Sequence, residues 1–128
     1  MIPSNFDSIS VTNLEKKFGD FVAVNKITFS VKKGEIFGFL GANGSGKSTT
    51  IRMLCGIITP TSGGGLVAGH DIMKESEEIK HSIGYMSQKF SLYEELTPFE
   101  NLRFYLGAYN VPQLQWPERI DWVLDMAR

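Results

Sequence analysis

The stretch Gly41-Ala42-Asn43-Gly44-Ser45-Gly46-Lys47-Ser48-Thr49 constrains this 128-residue chain more than any other. It reads G-x-x-x-x-G-K-[ST], the pattern of a loop that wraps phosphate groups in backbone N–H donors. Before it runs Ile36-Phe37-Gly38-Phe39-Leu40, an almost unbroken apolar segment that predicts a strand buried on both faces. After it, Ile51, Leu54, Cys55 and Ile58 recur at helical spacing. Strand, glycine-rich loop and helix form the order in which such a loop operates. A glycine-rich turn with an exposed lysine would explain the glycines, but not Lys-Ser-Thr placed between a buried strand and a helix.

Each residue type answers a chemical need. Gly41, Gly44 and Gly46 admit backbone conformations and close approaches that a Cβ would block. The first helical turn adds unpaired N–H groups and the positive end of its dipole. Lys47 supplies a point charge for the β- and γ-phosphates, and the Ser48 hydroxyl suits a Mg²⁺ ligand. The motif predicts nucleotide binding.

The rest of the chain bounds the context. Its length allows one core, hence one domain or part of one. A net charge of −1 supplies no argument for nucleic acid as a partner. The lone Cys55 allows no disulfide within the chain and reads as a small core residue. No run approaches the length of a membrane span, which predicts a soluble polypeptide and does not exclude a membrane-bound partner. His70 and His81 have no companions at metal-ligand spacing and read as solvated positions.

Taken in order, residues 1–8 read as a polar lead-in. Ile9-Ser10-Val11-Thr12 and Ile27-Thr28-Phe29-Ser30-Val31 alternate as half-buried strands of an antiparallel sheet, with turn chemistry at Lys17 to Phe21. A helix over 46–56 stops at the breaker cluster Thr59 to Gly65, and Leu66-Val67-Ala68 is a short strand. Glu75 to His81 makes at most a short polar helix, and Ile83-Gly84-Tyr85-Met86 a brief buried strand. Thr97-Pro98-Phe99-Glu100 opens a helix through a capping box, and Pro112 ends it. A further helix starts near Pro117, and its stripe of Ile120, Val123, Leu124 and Ala127 runs up to Arg128, which predicts a chain shortened at its C-terminus.

From Ile9 to Arg128 the chain resembles the N-terminal half of the ATP-binding subunit of ATP-binding cassette (ABC) transporters. The resemblance rests on Phe18, on loop 41–49 with its long lead of about forty residues of sheet before it, and on Tyr85-Met86-Ser87-Gln88 followed by Leu92 to Leu102. It implies an α/β fold of the P-loop NTPase class: an antiparallel β subdomain, part of a RecA-like core and the start of a helical subdomain. Residues 9–88 would hold the β subdomain and phosphate loop, and residues 89–128 the Q-loop and the start of the helical subdomain. ATP and Mg²⁺ are the implied ligands. Phe18 would stack on adenine, a role that the family often gives to Tyr, so the ring is kept and the hydroxyl lost. Gly41, Asn43, Gly44, Ser45, Gly46, Lys47, Ser48 and Thr49 would hold the phosphates. Gln88 would sit near Mg²⁺ and the attacking water.

The implied partners are a transmembrane permease and a second ATP-binding domain, at the cytoplasmic face of the membrane, and the stretch Lys89 to Leu96 leans toward the drug-export branch. The family's L-S-G-G-Q signature, acidic Walker B strand and switch His do not occur in these residues, and Asp121 and Asp125 fall on an amphipathic helix. The expectation is a chain that binds Mg-ATP more readily than it hydrolyses it. Two alternatives stay open: a soluble ABC-type ATPase unconnected with transport, and a nucleotide-binding module without catalysis.

Overall fold

A computed structural model describes residues 7–42, 44–86 and 92–128. Asn43 and Gln88, both expected at the nucleotide site, lie outside these residues. The chain divides into two compact units, residues 1–85 and 86–128.

In the first unit, β1 (Asp7–Phe18) and β2 (Phe21–Lys32) form a long antiparallel hairpin, with Phe18 opposite Phe21 across the Gly19-Asp20 turn. Both strands extend well beyond the two alternating segments read from sequence, β2 running back through Val22-Ala23-Val24 to Phe21. The sheet has four strands in the order β2-β1-β3-β4, with β3 at Ser62–Val67 and β4 at His70–Asp71. β3 therefore begins inside the glycine run that reads as a helix breaker. Gly63 explains how: at φ 77°, with the Asn13 carbonyl where a Cβ would lie, only glycine lets β3 come this close to β1.

The apolar alternation is buried against α1 (Lys47–Leu54) and α2 (Ser76–Ser82). Val11, Leu14, Val24, Met53, Val67, Ile72 and Ile79 make one cluster, with Ile9, Ile27, Phe29, Leu54, Ile58 and Ile83 packed on it. The buried residues of α1 are Thr50 and Met53, whereas Ile51 is exposed and Cys55 only half-buried, so the helix is rotated from the face its apolar spacing suggested. The burial that Cys55 does have pushes its thiol pKa up.

Two expected strands do not form. Residues 36–40 and 83–86 are not strands, and Ile36 and Leu40 are almost fully exposed. A strand buried on both faces needs hydrogen-bonding neighbours and a covering layer on each side. The described sheet includes neither segment and offers them no partner strand. Phe37 and Phe39 instead gather on Phe29, with ring centroids 5.5 and 5.8 Å from it.

The second unit holds α3 (Pro98–Ala108), a 3₁₀ turn at Gln113–Gln115, and α4 (Trp116–Met126). The capping box is formed: Glu100 N donates to Thr97 Oγ1 and Thr97 N to Glu100 Oε1, both at 3.1 Å. Hydrogen bonding to the Thr97 backbone N–H, then to its side chain, holds the Glu100 carboxyl pKa below the usual range. Buried Asn101 ties the preceding loop down, accepting from Tyr93 N at 2.8 Å and donating toward the Tyr93, Leu96 and Thr97 carbonyls.

Candidate functional site

The glycine-rich loop lies between the end of β2's turn and α1. Of its described residues, Gly41, Gly44, Ser45 and Ser48 are exposed, and Gly46, Lys47 and Thr49 are half-buried. Gly46 caps α1 at φ 93° and ψ 7°, in the left-handed region. A Cβ there would run into the Ala23 carbonyl and press on Val24. The approach depends on β2, where Lys16 faces Val24 and Lys17 faces Val22, leaving Ala23 as an extra residue in a bulge. The bulge and the glycine together seat the N-terminus of α1 on the sheet.

That terminus is prepared for an anion. It has no side-chain cap and no acidic residue in its first turn, so its leading N–H groups and dipole are uncompensated. Lys47 folds back so that Nζ donates to the Gly41 carbonyl, which holds the ammonium over the loop. A Cβ at Gly44 would point into open space, on a loop with room above it. Ser45 and Ser48, in the same loop and the first helical turn, are exposed residues. The donor set of N–H groups, one ammonium and hydroxyls suits a polyphosphate, and the Ser48 hydroxyl is a hard oxygen of the kind Mg²⁺ takes beside phosphate oxygens.

Phe18 lies at the same end of the sheet. It ends β1 opposite Phe21, and Ala23, against Gly46, follows two residues later along β2. Phe18 is 51% exposed, which leaves surface for a flat ligand to cover. Lys16 Nζ lies 5.2 Å from its centroid and donates to the Thr59 carbonyl at 2.8 Å. The loop leaving α1 is bound to β1 beside it by Thr61 N to Glu15 O at 2.8 Å, Lys17 N to Thr61 Oγ1 at 2.9 Å and Ser62 Oγ to Glu15 Oε1 at 3.2 Å. Sequence reasoning passed over Lys16 and Glu15. Their signal was weak: Lys16 falls two residues before Phe18 on one strand face, and Glu15 is a carboxylate inside an apolar strand. Among the described residues, no three His, Cys, Asp or Glu side chains cluster as a metal site.

A glycine-rich loop feeding an uncapped helix N-terminus beside a β sheet defines the chain's class: a phosphate-loop nucleotide-binding protein of α/β architecture. The sequence profile of the ABC transporter family matches residues 24–128. The chain belongs to that family, and its fold is a partial P-loop NTPase of the ABC type. It is 53% identical over 103 residues, 80% of its length, to the "Probable multidrug ABC transporter ATP-binding protein YbhF" of Escherichia coli (strain K12), of which it covers 18%. It is 41% identical over 117 residues, 91% of its length, to the linearmycin resistance ATP-binding protein LnrL of Bacillus subtilis (strain 168), of which it covers 38%. Among solved structures, an ATP-binding subunit of an ABC transporter matches 87% of the chain with a TM-score of 0.74 and 31% identity, and the chain covers 46% of that subunit. The chain thus spans less than half the length of each of these relatives. Family membership implies nucleotide binding. No helix among the described residues is long and apolar enough to cross a membrane.

Proposed function

We propose that this chain binds Mg-ATP, and that in the intact protein ATP hydrolysis powers export across a membrane. The observation that carries the reading is the cradle at the start of α1, where Lys47 is held over a glycine loop and the helix N-terminus has neither cap nor acid. The names of the relatives, a probable multidrug ABC transporter ATP-binding protein and a linearmycin resistance ATP-binding protein, support export.

In this reading the N–H groups of Gly41 to Thr49, Asn43 included, surround the phosphates. The Lys47 ammonium leaves the Gly41 carbonyl for phosphate oxygens and offsets their charge, and the Ser48 hydroxyl ligates Mg²⁺. Phe18 stacks on the adenine. Gln88 stands by the metal and the attacking water. Residues 9–88 carry the nucleotide site, and residues 89–128 begin the helical part, which reaches a transmembrane permease at the cytoplasmic face. A second ATP-binding domain closes the site from the other side.

The test is Mg-ATP binding to the intact protein by calorimetry, with Lys47→Ala beside it. Loss of one charge-assisted contact to phosphate should weaken binding by about ten- to a hundredfold. Equal affinity in the two proteins would mean that the nucleotide binds elsewhere, and the proposal would fall.

A further inference from the structure

We infer that Lys16 is a positioning residue for nucleotide recognition: it fixes the Phe18 ring so that one face stays free for a purine. The inference rests on the reading of Phe18 as the base platform. Strand alternation places residues 16 and 18 on one face of β1, and the ammonium lies 5.2 Å from the ring centroid. A cation there is drawn to the electron-rich face of the ring. The same ammonium donates to the Thr59 carbonyl at 2.8 Å, so it is anchored rather than swinging in solvent. Its anchor is itself fixed, since Thr61 N donates to Glu15 O and Thr61 Oγ1 accepts from Lys17 N.

The geometry therefore runs from the loop leaving α1, through Thr59 and Lys16, to Phe18. Phe18 alone, half-exposed at a hairpin end, would sample several rotamers and lose that freedom on binding a base. With Lys16 seated on one face, the ring is already oriented, which lowers the ordering cost of stacking. A second role for the ammonium, long-range attraction of the phosphates, would act on any polyphosphate alike. The two roles separate by ligand.

The experiment compares ATP with inorganic tripolyphosphate, both with Mg²⁺, on the intact protein and on Lys16→Met, Lys16→Arg and Phe18→Leu. Lys16→Met should weaken ATP binding about two- to fivefold and leave tripolyphosphate binding unchanged. Lys16→Arg should restore ATP binding, because a guanidinium can also cover the ring and reach Thr59. In a Phe18→Leu background, Lys16→Met should add nothing further. Equal weakening of both ligands by Lys16→Met would make Lys16 a simple charge and overturn the inference, as would no effect on either. The parent reading is judged separately: if Phe18→Leu leaves the ratio of ATP to tripolyphosphate affinity unchanged, Phe18 is no base platform and both fall. If that ratio drops in Phe18→Leu but not in Lys16→Met, only the role of Lys16 is lost.

Discussion

The unit of residues 1–85 and the unit of residues 86–128 are held together by different means. The first buries seven apolar side chains in one cluster beneath a sheet whose strand β1 is paired on both sides. Among its described residues the second buries one apolar side chain, Ile120, and one amide, Asn101, while Phe99, Phe104, Leu114 and Trp122 remain exposed. Its order comes from side chains that satisfy backbone groups: the Thr97–Glu100 box, the contacts of Asn101, and Trp116 Nε1 donating to the Val111 carbonyl at 2.7 Å. Apolar burial scales with area and tolerates a strained loop at its margin, so the first unit can hold Gly46 against a bulge. Hydrogen bonds to the backbone are local, and each can be removed alone.

The largest effect should therefore come from a cavity in the first unit. Met53 is fully buried where α1 meets the cluster. Met53→Ala should lower stability by about 2–5 kcal/mol, read from urea unfolding of the intact protein. Asn101→Ala should cost less, about 1–3 kcal/mol, because it leaves Tyr93 N and nearby carbonyls to find water instead. Amide exchange at Tyr93 reports it directly. If Asn101→Ala cost more than Met53→Ala, the contrast between the units would be reversed.

How much of this could be read from sequence follows the same division. The capping box was legible because its chemistry lies within four residues, Thr97 to Glu100. The β1–β2 hairpin was legible in its alternation and turn. Of strand β3 only the end, Leu66-Val67, was legible; Ser62 to Gly65 was not, since Gly63 to Gly65 carry strand geometry only where β1 comes close enough to require glycine. The rotation of α1 onto Thr50 and Met53 was hidden for a related reason: Gly46 seated on Ala23 decides which way the helix faces, and apolar spacing alone favoured Ile51. Residues 36–40 and 83–86 have strand composition, but composition cannot supply a neighbouring strand. At the site, loop 41–49 announces itself by its pattern. Lys16 does not, because its meaning lies in Thr59, 43 positions away.

The smallest effect sharpens the comparison by charge. Glu100 has its pKa lowered by hydrogen bonding to Thr97, the backbone N–H first. A carboxylate whose folded value is depressed contributes stability that is present above its unfolded value and is lost as pH falls through the folded one. Helix α3 should thus weaken on acidification below the ordinary glutamate range, and the N-terminal end of the helix dipole acts in the same direction. The first unit has its own acid-sensitive groups at α2. Glu75 is lowered by the Asp71 backbone N–H and by His70, and Glu77 by Lys80. An acid titration of total helicity would mix the two units, so the measurement has to be resolved by residue. Carboxyl-carbon NMR titration of Glu100 should give a midpoint below that of a free glutamate, and amide exchange at Asn101 and Leu102 should quicken over the same pH interval. Glu100→Gln keeps an acceptor for Thr97 N but removes the charge, so it should abolish that pH response while leaving the one at Glu75 in place. If exchange in α3 were to follow the titration of Glu75 instead, the capping box would not be what holds the second unit in order.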